Sequence, residues 1–305
     1  MRWPWHKDEV GFLVASPRSG TTWFANLLSC HPEIHATELR LFGDFGDGPG
    51  RQTLDHMAKK MAMVARQGDL HPDLSNDFIA HMAGRTVEFF RSRSHKPVLV
   101  DKVTPYSHTS DLVLERLRTV FPGAPIIYLK RDGRDVMVSL MFHQAARRAD
   151  RSEFARRRLQ TISAGKPQAL GRLFDDGEMD DFAPYWSGPA RLFASESGHV
   201  LSYESMIEEP VDNLRGLLRY LGVGSSVRIA EACVERASFQ NMSGGRGSGD
   251  ASNLDHVRSG TVGEWRKYFT RRDAVRFHEL AGAELIALGY ESDDSWMDAL
   301  PDRLP

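Results

Sequence analysis

Residues 11–28 read Gly11-Phe12-Leu13-Val14-Ala15-Ser16-Pro17-Arg18-Ser19-Gly20-Thr21-Thr22-Trp23-Phe24-Ala25-Asn26-Leu27-Leu28. The run 11–14 is apolar throughout, as in a strand buried on both faces, and Phe24, Leu27 and Leu28 recur at the spacing of one helix face. A strand therefore passes into a helix through a short loop. Gly20 lets the backbone come close to a ligand, the first free N–H groups of the helix point at it with the dipole behind them, and Thr21 and Thr22 add hydroxyl donors. The loop is built to hold an anion. It departs from the G-x-x-x-x-G-K-[ST] loop of ATPases and GTPases, because Thr21 follows Gly20 where a lysine is required and the loop's cation is Arg18.

A second apolar run, Pro125-Ile126-Ile127-Tyr128-Leu129, reads as a buried parallel strand and leads into Lys130-Arg131-Asp132-Gly133-Arg134-Asp135-Val136-Met137-Val138-Ser139, with Asp132 a natural N-cap for the next helix. Near the C-terminus stands His256-Val257-Arg258-Ser259-Gly260-Thr261-Val262-Gly263-Glu264-Trp265-Arg266-Lys267-Tyr268-Phe269-Thr270. Together these segments resemble the motifs of sulfotransferases that use 3′-phosphoadenosine 5′-phosphosulfate (PAPS). Residues 15–23 are similar to the 5′-phosphosulfate loop P-[KR]-[SA]-G-T-[TS]-[WFL], residues 130–139 to the 3′-phosphate motif R-[DN]-x-[RK]-D-x-x-x-S, and residues 256–270 to the cytosolic R-K-G-x-x-G-x-W-[KR]-x-x-F-[TS]. Leu201-Ser202-Tyr203-Glu204-Ser205-Met206 and Ala237-Ser238-Phe239-Gln240-Asn241-Met242 echo the family's L-x-Y-E-D-M and T-S-F-x-x-M.

The resemblance implies an α/β fold, a single domain over residues 1–305 with one parallel sheet flanked by helices, similar to P-loop NTPases. It implies that Arg18, Ser19, Gly20, Thr21 and Thr22 hold the 5′-phosphosulfate. Trp23, Tyr203, Ser238, Phe239 and Met242 would line the adenosine pocket, and Arg131, Ser139, Arg258, Ser259 and Gly260 would hold the 3′-phosphate. A guanidinium grips phosphate oxygens in bidentate fashion, which suits Arg131. Ser259 stands where the family has lysine, so one cationic contact is missing.

Sulfuryl transfer needs a grip on the nucleotide, stabilisation of charge on the leaving phosphate, and a base for the acceptor's proton. Arg18 and Lys102 are the candidates for charge stabilisation; Asp101-Lys102-Val103-Thr104-Pro105 resembles the D-K-x-P segment of carbohydrate and protein-tyrosine sulfotransferases. The cytosolic branch's histidine after this strand is absent. Glu38, after the second strand where the carboxylate-using branches place a glutamate, is the first candidate for the base, followed by Asp101, His108 and His143. The transferred group carries less charge than a terminal phosphate, so no metal is expected.

The chain of 305 residues is 41% hydrophobic, enough for a large core, and its formal net charge of −2 excludes a globally basic nucleic-acid binder. No apolar run is long enough to span a bilayer, the charged N-terminus is unlike a signal peptide, and Cys30 and Cys233 are too few for a disulfide scaffold, so a cytoplasmic protein is expected. Strands are expected at 11–16, 34–36, 98–102, 125–130 and 200–203, with helices at 54–67, 78–91, 111–120 and 132–147. Residues 147–181 and 243–250 read as mobile lids. Phe42, Phe45, Phe142, Tyr185 and Trp186 either line an acceptor site or are core. The acceptor stays open among small-molecule, glycan and peptide hydroxyls, as does the oligomeric state. Two other classes remain: a variant P-loop kinase, which would prefer Mg-ATP, and a nucleotide-binding protein without turnover.

Overall fold

The computed structural model describes residues 10–39, 41–42, 63–64, 74–105, 109–149, 152–164, 166–242 and 260–305, without the side chains of Leu74, Ser75, Phe154, Asp176, Phe239 and Met242. Five parallel strands, β1 (Val10–Val14), β2 (Ile34–Thr37), β3 (Val98–Val103), β4 (Ile126–Lys130) and β5 (His199–Ser202), lie in the order β2-β3-β1-β4-β5. All five expected strands are present, with ends shifted by one or two residues. The expected helix at 54–67 falls outside the described residues apart from 63–64. The other three are found as α2 (Leu74–Arg91), α3 (Ser110–Val120) and α4 (Gly133–Arg148), following α1 (Thr21–Ser29).

Alternation along the strands divides the core. Leu13, Val98, Val100, Ile127 and Leu129 pack with Phe24, Leu27 and Leu28 of α1 on one face, together with Leu214, Leu217, Ala230 and Cys233. Phe12, Val14, Leu99, Val103 and Tyr128 point to the other face, against Ile79, Ala83 and Val87 of α2 and Val113 and Leu117 of α3. A third cluster lies among α4, α5 (Glu153–Ser163), α6 (Asp176–Glu196) and a long helix at Arg271–Ala287, centred on Phe142, Phe174, Trp186 and Phe277.

That third cluster corrects the expectation of a lid at 147–181. In that stretch the described residues form a packed helical layer: Leu159, Ile162, Leu173 and Phe174 are buried, and Asp175 closes a capping box on α6 with Glu178, whose carboxylate also receives Arg158 at 2.6 and 2.9 Å. The acidic run 175–181 is the favourably charged first turn of a helix. Arg147, Arg148, Arg156 and Arg157 are a solvated face. The second expected lid, 243–250, lies outside the described residues. Phe42, Phe142 and Trp186 are core residues, while Phe45 lies outside the description.

Candidate active site

The carboxyl ends of β1, β3 and β4 stand side by side, so the loops that leave them open on one edge of the sheet, where parallel α/β sheets place their ligands. After β1 the chain turns through Arg18 at φ 69° and Gly20 at φ 85°. Only glycine suits the second position, for backbone conformation and for space: a Cβ on Gly20 would lie 2.6 Å from the Tyr203 ring. Gly20 is the N-cap of α1, which has neither a side-chain cap nor an acidic residue in its first turn. The helix thereby presents its positive end unneutralised. α4 differs, since Asp132 caps it by accepting from the Arg134 backbone N–H.

Arg131, in the loop just before the N-cap of α4, is 7% exposed and is fixed from several sides. Its Nη1 donates to the Arg18 carbonyl at 3.2 Å, its Nη2 to the Thr261 carbonyl at 3.3 Å, and the guanidinium carbon stands 4.3 Å from the centre of the Tyr203 ring. Arg18 Nε donates to Ser139 Oγ at 3.1 Å. The loops after β1 and β4 are thus joined around two guanidinium groups. Burial works against the Arg131 charge, but Tyr203, Asp135, Glu204 and Glu264 around it outweigh that and raise its pKa. Ser19 Oγ and Arg131 Nε are buried and have no hydrogen-bond partner among the described residues. Buried polar donors left this way beside the α1 N-terminus are available to a polar ligand.

Trp23 donates from Nε1 to the Ala237 carbonyl at 2.9 Å and meets the Tyr203 ring edge-on at 5.6 Å. Ser238 follows directly, its hydroxyl accepting from the Asn241 N–H. The side chains of Phe239 and Met242, like Arg258 and Ser259, lie outside the described residues, and the C-terminal motif is described from Gly260 onward, at φ 67°.

On β3, Lys102 and Asp101 point to opposite faces. Lys102, 3% exposed, donates to Thr22 Oγ1 at 3.2 Å and pairs with Glu38, whose side chain is 45% exposed. Asp101 is fully buried and accepts from Thr37 Oγ1 and from the Leu41 N–H. The structure thus joins Lys102 and Glu38 to the α1 N-terminus and gives Asp101 the task of tying the chain after β2 to β3. His143 lies on α4 one turn beyond Ser139; His108 is outside the described residues.

The family model for the sulfotransferase domain matches residues 8–289. The chain belongs to the sulfotransferase family. It is 25% identical over 294 residues to nodulation protein NoeE of Sinorhizobium fredii, covering 92% of this chain and 66% of that protein, so it spans about two thirds of that relative's length. It is 23% identical over 299 residues to a flavonol sulfotransferase-like protein of Flaveria bidentis, covering 90% and 82%. Among solved structures, mouse sulfotransferase SULT7A1 complexed with PAP aligns with a TM-score of 0.54 at 17% identity over 96% of this chain and 88% of that one, a likeness of fold.

Four residues of this candidate site carried no role in the sequence analysis, although its motifs contain three of them. Arg134 and Asp135 belong to the motif around Arg131, and Glu204 to the echo around Tyr203. Glu204 accepts the Asp132 N–H at 2.9 Å and the Tyr290 hydroxyl at 3.1 Å. Burial pushes both the Glu204 carboxyl and the Tyr290 hydroxyl up from their ordinary pKa values. Tyr290, the fourth, is 86 residues away in sequence and carries no local signal.

Proposed function

We propose that this member of the family is a PAPS-dependent sulfotransferase that sulfates a hydroxyl or amine on a small-molecule, glycan or peptide acceptor, and that it works in the cytoplasm. One observation carries the reading. Two anion-receptive groups, the uncapped N-terminus of α1 with Arg18 and the buried Arg131 with Ser139, lie on neighbouring loops and are hydrogen-bonded to each other. A nucleotide with separate 5′ and 3′ anionic groups needs two such places, whereas a kinase's single phosphate chain needs one. The unpartnered Ser19 Oγ and Arg131 Nε supply donors of the right kind for phosphate oxygens.

In this reading Ser19, Gly20, Thr21 and Thr22 hold the 5′ end, Arg131, Ser139 and Gly260 the 3′-phosphate, with Arg258 and Ser259 as further candidates, and Trp23, Tyr203, Ser238, Phe239 and Met242 the adenosine. PAPS supplies the activated sulfuryl group. Arg18 and Lys102 hold positive charge at the loop where the phosphate's charge grows. Glu38, exposed on one side and held by Lys102 on the other, takes the acceptor's proton on its carboxylate; we prefer it to Asp101, whose oxygens are turned into the core. Small-molecule acceptors are favoured by the relative named for flavonol.

Calorimetric titration with adenosine 3′,5′-bisphosphate, with and without Mg²⁺ and beside ATP, tests the reading. The expected result is metal-independent binding of the bisphosphate that is lost in Arg131→Ala. A preference for Mg-ATP moves the assignment to a kinase, and binding without turnover on any acceptor class moves it to a nucleotide-binding protein.

A further inference from the structure

Asp135 lies one residue beyond Arg134 in the first turn of α4, where its charge suits the helix dipole, is 2% exposed, and among the described residues accepts no hydrogen bond from its own helix. Its carboxylate instead spans to the C-terminal segment: Oδ2 accepts the Gly263 N–H at 2.7 Å and Oδ1 accepts the Trp265 N–H at 2.9 Å. Two bonds to alternate amides of one turn fix both the position and the orientation of that turn. Gly263, at φ 72°, provides the left-handed corner that lets the two N–H groups face the same carboxylate. Two residues before this corner is the Thr261 carbonyl, the acceptor for Arg131 Nη2. A continuous chain therefore runs from Asp135 through the 261–265 backbone to the guanidinium.

We propose that Asp135 is a positioning residue for recognition of the nucleotide's 3′-phosphate. It holds the Thr261 carbonyl where it aims Arg131, and so sets discrimination between nucleotides with and without that phosphate. The inference rests on the sulfotransferase reading and deepens it. An isosteric Asn cannot reproduce the clamp, because its amide NH₂ would face one of the two N–H donors. Loss of one anchor lets the turn shift, and a displacement of a fraction of an ångström is enough to cost about tenfold in a preorganised site.

The test compares wild type with Asp135→Asn in calorimetric titrations with adenosine 3′,5′-bisphosphate and with adenosine 5′-monophosphate, after thermal melting shows that the variant is folded. Affinity for the bisphosphate is expected to fall about tenfold or more, with the monophosphate changing less than about twofold. Equal losses for both nucleotides, or no loss, overturn the positioning role. Wild type that does not distinguish the two nucleotides overturns the functional reading instead. A second measurement needs no variant: in the free wild-type protein the Gly263 and Trp265 amides are expected to exchange slowly with solvent deuterium, and rapid exchange there would show that no clamp precedes the nucleotide.

Discussion

At the scale of single residues, the strictest demand falls on Gly20. A side chain there meets two costs: a left-handed backbone, worth about 1 kcal/mol or more for an L-residue, and a clash with the Tyr203 ring. That ring cannot withdraw easily, since the Arg131 guanidinium stacks on it and Trp23 packs against its edge. Gly20→Ala is therefore expected to lower stability by about 2 kcal/mol and to abolish bisphosphate binding, read from urea melts and calorimetry. Glu38 makes the opposite kind of demand, on chemistry more than on folding. Glu38 is 45% exposed but Lys102 is buried, so replacing the carboxylate by an amide, which keeps an acceptor for the lysine, costs about 1–3 kcal/mol of stability. If it is the base, Glu38→Gln should lower kcat by about 100-fold or more while nucleotide affinity stays within about threefold of wild type. Steady-state kinetics with PAPS checks this, and an unchanged kcat would pass the role to His108 or His143.

At the scale of elements, the C-terminal segment is bolted to α4 by Arg134. This buried guanidinium bonds the Asp132 carboxylate through Nη2 at 2.8 Å and Glu291 through Nη1 at 2.5 Å. It also stacks 3.8 Å from the ring centre of Trp265 and 4.6 Å from that of Trp296. A lysine keeps the charge but neither the fork nor the planar stack, so Arg134→Lys is expected to cost about 2 kcal/mol, measured as a shift in the urea midpoint with an unchanged slope. This junction also separates what was legible in the sequence from what was not. The segments 15–23 and 130–139 and the strands β1 and β4 that lead into them announce themselves locally, by apolar runs and by glycine and hydroxyl residues at fixed offsets. Two of the partners of Arg134 do not, because Glu291 and Trp296 are more than 150 residues away and no periodicity connects them to it. The lid expected at 147–181 failed for a related reason. Its alternating charge blocks are what an exposed loop would show, but most of these charges sit on the outer side of a layer that carries Leu159 and Ile162 of α5, and Leu173 and Phe174 of the connection to α6, into the core. Asp101 misled in the same way, its strand-end position legible and its burial not.

At the scale of the whole molecule, the site requires buried carboxylates near its cations, and this should leave a signature in the pH dependence of stability. Asp135 and Glu204 are both pushed above the ordinary carboxylate range, chiefly by burial, and only partly brought back by Arg131 and by backbone N–H donors. The folded chain therefore holds on to these protons at pH values where the unfolded chain, titrating near about 4, has released them. More protons bound in the native state means that stability falls as pH rises from the unfolded value through the raised folded value, and levels off above it. Asp293, held below the ordinary carboxylate range by its hydrogen bonds to Ser295, contributes in the opposite direction, so total stability alone does not isolate the effect. A variant does: Glu204→Gln keeps an acceptor for the Asp132 N–H and can receive or donate to the Tyr290 hydroxyl, but it has no proton to lose. Urea midpoints from pH 4 to pH 7 should show the variant gaining on wild type as pH rises. A difference that stays constant would mean that Glu204 ionises in the folded protein as readily as in the unfolded one, and one that shrinks as pH rises would mean that it ionises more readily there, Arg131 and the backbone donors outweighing its burial.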